Sequence, residues 1–376
     1  MIQRPGWVRR IRDAWQTRPV VWLSGVRRVG KTTLSHLLPG ARYLNCDLPS
    51  VQRTLEDPEL FFDSAPRDAV LAFDEVHRLP DPGLVLKMAA DEYPGLRVLA
   101  TGSAKLAATR EFRESLAGRK LEVHLCPVPW EECMDAFGIA ELDRRLLNGG
   151  LPEALLAERP DEGFFSEWLD SFYARDILEL FNIRSRRGFL GLLRVLLRGS
   201  GGQVDYTSLA SGSELSRVTV KAHMEAMEAA HVIRLLRPFH GGGKQEIVSR
   251  PRCYSFDTGL VAFERGWREV RDDDREILWA HLVLDALLMR FHRDRVLYWQ
   301  DKSRREIDFV IRRADGTVDA VACEVNPERL DAASLQAFRR IYPDGTNYVV
   351  TPLDREPCRI RRGGLPVTVC STRHLG

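Results

Sequence analysis

The 376-residue sequence has little lysine: of its 55 basic residues only Lys31, Lys87, Lys105, Lys120, Lys221, Lys244 and Lys302 are lysines, and the others are arginine. Arginine favours bidentate contact with phosphate, although a GC-rich genome produces the same skew. Net charge is almost absent, because 53 acidic residues offset the bases to a formal +2. That balance argues against a chain that coats polyanions non-specifically and leaves room only for local basic clusters. Paired cysteines are missing too. Cys46, Cys126, Cys133, Cys253, Cys323, Cys358 and Cys370 are odd in number and contain no CxxC pair. They read as reduced core thiols in a cytosolic protein, not as a zinc site or a disulfide frame. No stretch approaches the ~20 apolar residues that cross a bilayer, and "MIQRPGWVRRIRDAW" lacks the apolar centre of a signal peptide. A soluble, cytoplasmic protein is expected.

What is present is a globular composition, 44% hydrophobic and 29% charged. At roughly 100 to 200 residues per domain, the length predicts two or three domains.

The most legible segment is "VVWLSGVRRVGKTTLSHLL", residues 20–38, an apolar strand followed by a glycine-bounded loop and an amphipathic helix start. Gly25, Val26, Arg27, Arg28, Val29, Gly30, Lys31 and Thr32 fit GxxxxGK[ST], and Thr33 continues into the helix. Glycines let backbone N–H groups wrap phosphates, the helix N-terminus adds partial positive charge, and Lys31 is suited to the β and γ oxygens of ATP. Thr32 is expected on Mg²⁺. "DAVLAFDEVHRL" supplies a second apolar strand ending in two acids. Asp74 is expected to hold hydrated Mg²⁺, and Glu75 to orient and polarise the attacking water. "LRVLATGS" ends in polar residues that suit a γ-phosphate sensor in an ATPase with an inserted central strand, Ser103 or Thr101, with Ser103 taken as the catalytic candidate. Asp47, closing "YLNCD", is expected at the carboxyl end of another parallel strand, facing the ligand crevice. Among Arg110, Arg113 and Arg119, the first choice for an arginine finger is Arg119. A finger acting in trans would make the protein a homo-oligomer.

These residues resemble a known group. "GVRRVGKTTL", "AFDEVHRLP", "ATGSAKL", "LAGR", "PVPWEE", "GGLPEAL" and "YARDI", in that order, look like the AAA+ ATP-binding proteins of bacteria and archaea that carry a C-terminal domain of uncharacterised function. The resemblance implies an α/β chain with an AAA+ three-layer parallel sheet and helical lid over residues 1–185. It further implies a winged helix, placed at 186–262, and an α/β restriction-endonuclease-like domain, placed at 263–376.

Residues 129–182 have apolar positions at helical spacing and are expected to form the lid. From 204 onward, "VDYTSLASGSELSRVTVKAHMEAMEAAHVIRLLRPF" follows a helix-turn-helix rhythm, and "HVIRLLRPF", "HGGGK" and "RCYSFD" complete a plausible wing. Arg217 and Lys221 are the expected contacts to duplex DNA, with Lys244, Arg250 and Arg252 as further phosphate partners. Glu225 and Glu228 weaken that field, so a protein partner is the alternative. In the last segment Asp308 and Glu324, sixteen residues apart, match two carboxylates of a PD-(D/E)xK nuclease. Asn326 replaces the lysine that assists the water, and Ala280 stands where a helix glutamate is expected. The site reads as degenerate. The function expected is therefore Mg²⁺-dependent ATP hydrolysis coupled to a winged helix and a nuclease-like module that does not cut. A slow-turnover nucleotide switch is the alternative, and an ATP-powered DNA nuclease is disfavoured.

Overall fold

Residues 1–375, apart from 104, 105, 108, 243–245, 247 and 248, are described by a computed structural model. The chain forms two units. The first gathers Met1–Cys126, Trp168–Arg184 and Ala229–His231; the second gathers Pro127–Glu167, Ser185–Glu228 and Val232–Gly376.

The first unit is built on five parallel strands: β1 (Val20–Ser24), β2 (Ala41–Asn45), β3 (Val70–Asp74), β4 (Arg97–Thr101) and β5 (Lys120–His124), in the order β2-β3-β4-β1-β5. β4 is inserted between β3 and β1, the central strand that the sequence led one to expect. The uninterrupted apolar runs of β1, β3 and β4 follow from burial of both sheet faces, which removes any reason for alternation. Every residue of β1 is buried. The helix Pro5–Trp15 starts on a proline, whose missing N–H is not needed there. It lays Trp7, Ile11 and Trp15 inward, and Trp15 Nε1 donates to the Val98 carbonyl at 2.9 Å. On the sheet, Trp22 meets the Phe112 ring edge-on at 5.1 Å. The short segment Ala229–His231 joins this unit through His231, whose ring lies 4.6 Å from that of His124.

The second unit begins with helices that the sequence reading placed in a lid on the first core. They cluster here instead, and a buried carboxylate explains why. Asp257 accepts from the N–H of Gly150 (2.7 Å) and of Gly259 (2.8 Å), while Arg145 donates to the Val128 carbonyl (2.9 Å) and to Thr258 Oγ1 (3.1 Å). "GGLPEAL" is thus the partner of "SFDTGL", over a hundred residues away.

Three helices follow, Arg186–Arg198, Tyr206–Ser213 and Arg217–Ala229, then an antiparallel pair, β6 (Ile233–Leu236) and β7 (Arg252–Ser255). The long helix Asp272–Arg290 leads into a six-stranded sheet of β8 (Val296–Gln300), β9 (Glu306–Arg312), β10 (Val318–Cys323), β11 (Asn347–Val350), β12 (Cys358–Arg362) and β13 (Leu365–Cys370). Its order is β12-β13-β11-β10-β9-β8. β8, β9 and β10 run antiparallel, and β10 crosses through the helix Ala332–Ile341 to the parallel β11. Trp279 Nε1 ties the long helix to the Val350 carbonyl at 2.8 Å. Among the described residues no helix is long and apolar enough to cross a membrane.

Candidate functional site

β1 ends at Ser24, and the chain turns into the loop that the sequence singled out. Gly25 has φ +141°, and a Cβ there would stand 2.5 Å from the Leu125 carbonyl oxygen, so only glycine fits this close approach. Gly30, at φ +101°, hands the loop to the helix Lys31–Leu37. Val26 and Val29 are buried and anchor the loop from below. Half-buried Lys31 donates Nζ to the loop's own carbonyls, Gly25 (2.8 Å) and Val26 (3.0 Å). Burial lowers its pKa, while the charges of Glu75, Asp176 and Asp74 oppose that shift.

Asp74, 4% exposed at the end of β3, is where the site converges. Its Oδ2 accepts from Thr32 Oγ1 (2.7 Å) and from the Tyr43 hydroxyl (2.8 Å), and its Oδ1 accepts from Thr101 Oγ1. Lys31, Thr32 and Asp74 are therefore brought together by the end of β1, the helix start and the end of β3. An alcohol beside a carboxylate is a hard oxygen donor set, which suits Mg²⁺. Glu75 follows with φ +56°, and Thr101 Oγ1 accepts from its N–H at 3.0 Å. Of the two sensor candidates, Thr101 is the one bonded to Asp74, whereas Ser103 Oγ accepts from Leu106 N (3.3 Å) in the next turn.

Three residues at this site escaped the sequence reading. Tyr43 and His77 are two of them: His77 Nδ1 lies 3.2 Å from Glu75 Oε2 and 3.2 Å from the Ser103 N–H. Burial lowers the His77 pKa, which favours the neutral ring accepting from Ser103. The third is Asp176, 3.5 Å from Arg27. The letters "VHR" gave a signal for His77, and "YARDI" held Asp176 without giving it a role, whereas nothing local marks Tyr43.

Arg119 is a correction. It precedes β5 at the end of the sheet opposite the loop, since Val20 pairs with Lys120 and Ser24 with His124. Five residues of strand, about 16 Å at ~3.3 Å per residue, separate it from the loop. Its guanidinium is held by both oxygens of Asp91, at 2.5 and 2.9 Å. From there Arg119 does not reach the glycine loop of its own chain, which leaves only the finger in trans. Asp47 is paired with Arg78 at 2.9 Å.

Of the proposed DNA contacts, Arg217 and Lys221 are exposed on the helix Arg217–Ala229, and Lys221 lies 3.9 Å from Glu225. Arg250 pairs with Asp205 at 3.5 Å. Arg252 faces inward, 7% exposed, over the Tyr298 ring and bound to Glu306, so it is not free for phosphate. Lys244 lies outside the described residues.

In the last sheet Asp308 Oδ2 accepts from Cys323 N at 2.9 Å, which sets Asp308 beside Glu324 across β9 and β10. A glutamate one turn earlier than Ala280 does face this sheet: Glu276 Oε2 accepts from Val325 N at 2.8 Å. Positions four apart share a helix face, so the register of this contact was not legible from spacing. Burial, with the charges of Glu276 and Asp308, pushes Glu324 up to about 8, and burial, with those of Glu306 and Glu276, pushes Asp308 up to about 6. Even so, among the described residues no three His, Cys, Asp or Glu side chains are grouped to hold a metal ion. Asn326 caps the turn Pro327–Arg329 by accepting from Glu328 N at 3.0 Å, a use of the position that lysine cannot serve.

Residues 17–134 match the AAA domain. Residues 139–271 and 276–368 match two domains of unknown function, DUF8612 and DUF4143. The chain is 29% identical over 331 residues to an uncharacterized protein of Mycobacterium tuberculosis, covering 83% of this chain and 71% of that one. It is 23% identical over 330 residues to an uncharacterized protein of Methanocaldococcus jannaschii, covering 81% and 72%. A Walker-type ATPase of Pyrococcus abyssi aligns in structure with a TM-score of 0.46 at 18% identity, over 70% of this chain and 96% of that one. With the loop, the inserted strand and the acid at the end of β3 in place, residues 17–134 form an AAA-type P-loop core.

Proposed function

We propose that the first unit binds MgATP and hydrolyses it, and that the second unit responds to the nucleotide state without cutting nucleic acid. The observation that carries this reading is the Thr32–Asp74 hydrogen bond of 2.7 Å at the mouth of the glycine loop, with Lys31 beside it. Thr32 and Asp74 would hold Mg²⁺, which when bound neutralises charge on the β and γ phosphates. The chain's own part is separable from that. Backbone N–H groups from Gly25 to Thr33 bind the phosphates, and Lys31 exchanges the loop carbonyls for phosphate oxygens. Thr101 fixes the Asp74 carboxylate. Glu75 accepts a proton from water as that water attacks.

Glu75→Gln tests this directly. ATP turnover is expected to fall about 100-fold or more, the usual contribution of a general base, with nucleotide still bound. Unchanged turnover would remove Glu75 from the mechanism. Running both proteins with and without duplex DNA also reads out a partner through stimulation.

A slow switch is the second reading, and His77 favours it. Its Nδ1 lies 3.2 Å from Glu75 Oε2, and a ring protonated there gives up the Ser103 N–H and holds the carboxylate away from a water. His77→Ala is then expected to raise turnover several-fold, whereas a loss would give His77 a supporting role in catalysis.

In the second unit, the helices Tyr206–Ser213 and Arg217–Ala229 with β6 and β7 support a winged helix, and the helix-sheet-helix order from Asp272 to Val350 supports a nuclease-like fold. Asn326, committed to its cap, supports the absence of cutting. Magnesium-dependent DNA cleavage that disappears in Asp308→Ala would overturn that part.

A further inference from the structure

A turn of π-helix, Phe172–Leu178, interrupts the helical run that begins at Glu162 and ends at Phe181. Such turns fit an extra residue into the helix and concentrate at functional sites. This one stands against the glycine loop. Trp168 Nε1, just before it, donates to the Arg27 carbonyl at 3.2 Å. Asp176, inside it, brings Oδ2 to 3.5 Å from Arg27 Nε. Both atoms are buried, and neither has a hydrogen-bond partner. The pair is close enough to attract, yet Arg27 Nε and Asp176 Oδ2 are left without a hydrogen bond, and a buried polar atom so placed is costly.

Asp176 also lies in the field of Lys31. Burial pushes its carboxyl up to about 6, and the charges of Arg27 and Lys31 oppose that rise. Asp176 therefore draws on the two cations of the loop that phosphates would use.

We propose that Asp176 stands in for a nucleotide phosphate, and that the π-helical turn Phe172–Leu178 is a latch that the bound nucleotide opens. This inference rests on the first unit being an ATP site. A triphosphate offers more charge and more acceptor oxygens than one carboxylate, so it takes Arg27 and Lys31. Asp176 is then left beside an anion with no counter-charge and must leave. Because Trp168 pins the same segment to the loop backbone, that departure reorders the turn rather than one rotamer. Asp176 acts through the loop cations and is a positioning residue. Its charge lowers nucleotide affinity in exchange for a signal that the site is filled.

The test uses the full chain, a fluorescent ATP analogue for affinity, and hydrogen exchange of the peptide covering 168–184. In the wild type, exchange within 172–178 is expected to rise when the analogue binds. Asp176→Asn, which keeps the shape and removes the charge, is expected to bind about tenfold more tightly, with exchange there already raised before nucleotide is added. Equal affinity in both proteins, with no nucleotide-dependent change at 172–178, overturns the latch and leaves the ATP site standing. No binding by either protein overturns both. The wild-type exchange measurement decides the matter even if the variant folds poorly.

Discussion

At the scale of the residue, two positions carry sharp consequences. Gly25 has a positive φ and a carbonyl oxygen 2.5 Å from where a Cβ would be, so Gly25→Ala must move either the loop or Leu125. Nucleotide affinity is expected to fall at least tenfold, with a melting temperature lowered by several degrees, measured by titration and by thermal unfolding. Glu324 makes a prediction about pH. Its carboxyl titrates near 8 in the fold against an ordinary value of 4.5. Between those values the folded chain holds a proton that the unfolded chain has lost. The stability this contributes is whole below about pH 4.5 and drains away as pH rises to 8. Glu324→Gln removes the charge that burial, Glu276 and Asp308 oppose. Its melting temperature should exceed wild type by a few degrees at pH 8.5 and match it at pH 4.5. A variant less stable at pH 8.5 would mean that the ionised form is held by a partner.

At the scale of the element, Asp257 is the test case. It accepts from the N–H groups of Gly150, Gly259 and Leu260, joining two helix starts that are far apart in sequence. Asp257→Ala leaves those backbone donors without their acceptor and nearby Arg145 without a counter-charge, and should destabilise the second unit by about 3 kcal/mol, read from the midpoint of urea unfolding. Elements of this kind also mark what the letters could reveal. Strands β1, β3 and β4 and the glycine loop were legible because apolar runs, glycines and terminal acids are local signals. The place of Asp74 among Thr32, Tyr43 and Thr101 required only that those strands be parallel neighbours. Glu276 was missed because a helix facing a sheet chooses its register by packing, and Ala280 lies on the same face one turn away. Arg119 was misplaced because the segment Lys120–His124 was read as strand-like without its direction being used: a residue just before a strand parallel to β1 lies at the end opposite the loop. The allegiance of residues 127–167 was hidden as well, since it is decided by Asp257, a hundred residues downstream.

At the scale of the whole molecule, a net charge of +2 makes strong non-specific attraction to DNA unnatural for this chain. If Arg217 and Lys221 meet phosphates, two contacts give a slope of about −1.8 for log affinity against log salt, at ~0.9 per contact. Reversing both to Glu should abolish the binding seen in a fluorescence anisotropy titration, and a slope near zero in the wild type would deny the DNA role. The first unit has a further property, which concerns how it comes into being. Its nucleotide loop follows β1, yet β1 finds both neighbours, β4 and β5, only after residue 124, and the unit also includes Trp168–Arg184 and Ala229–His231. On a ribosome adding about 5 to 20 residues per second, the ATP site is thus among the last parts of its own unit to be finished. A fragment ending where the AAA match ends, at residue 134, stops before the Trp168 and His231 segments. It should fold incompletely and resist protease poorly, whereas a fragment running through residue 231 should restore a protected first unit.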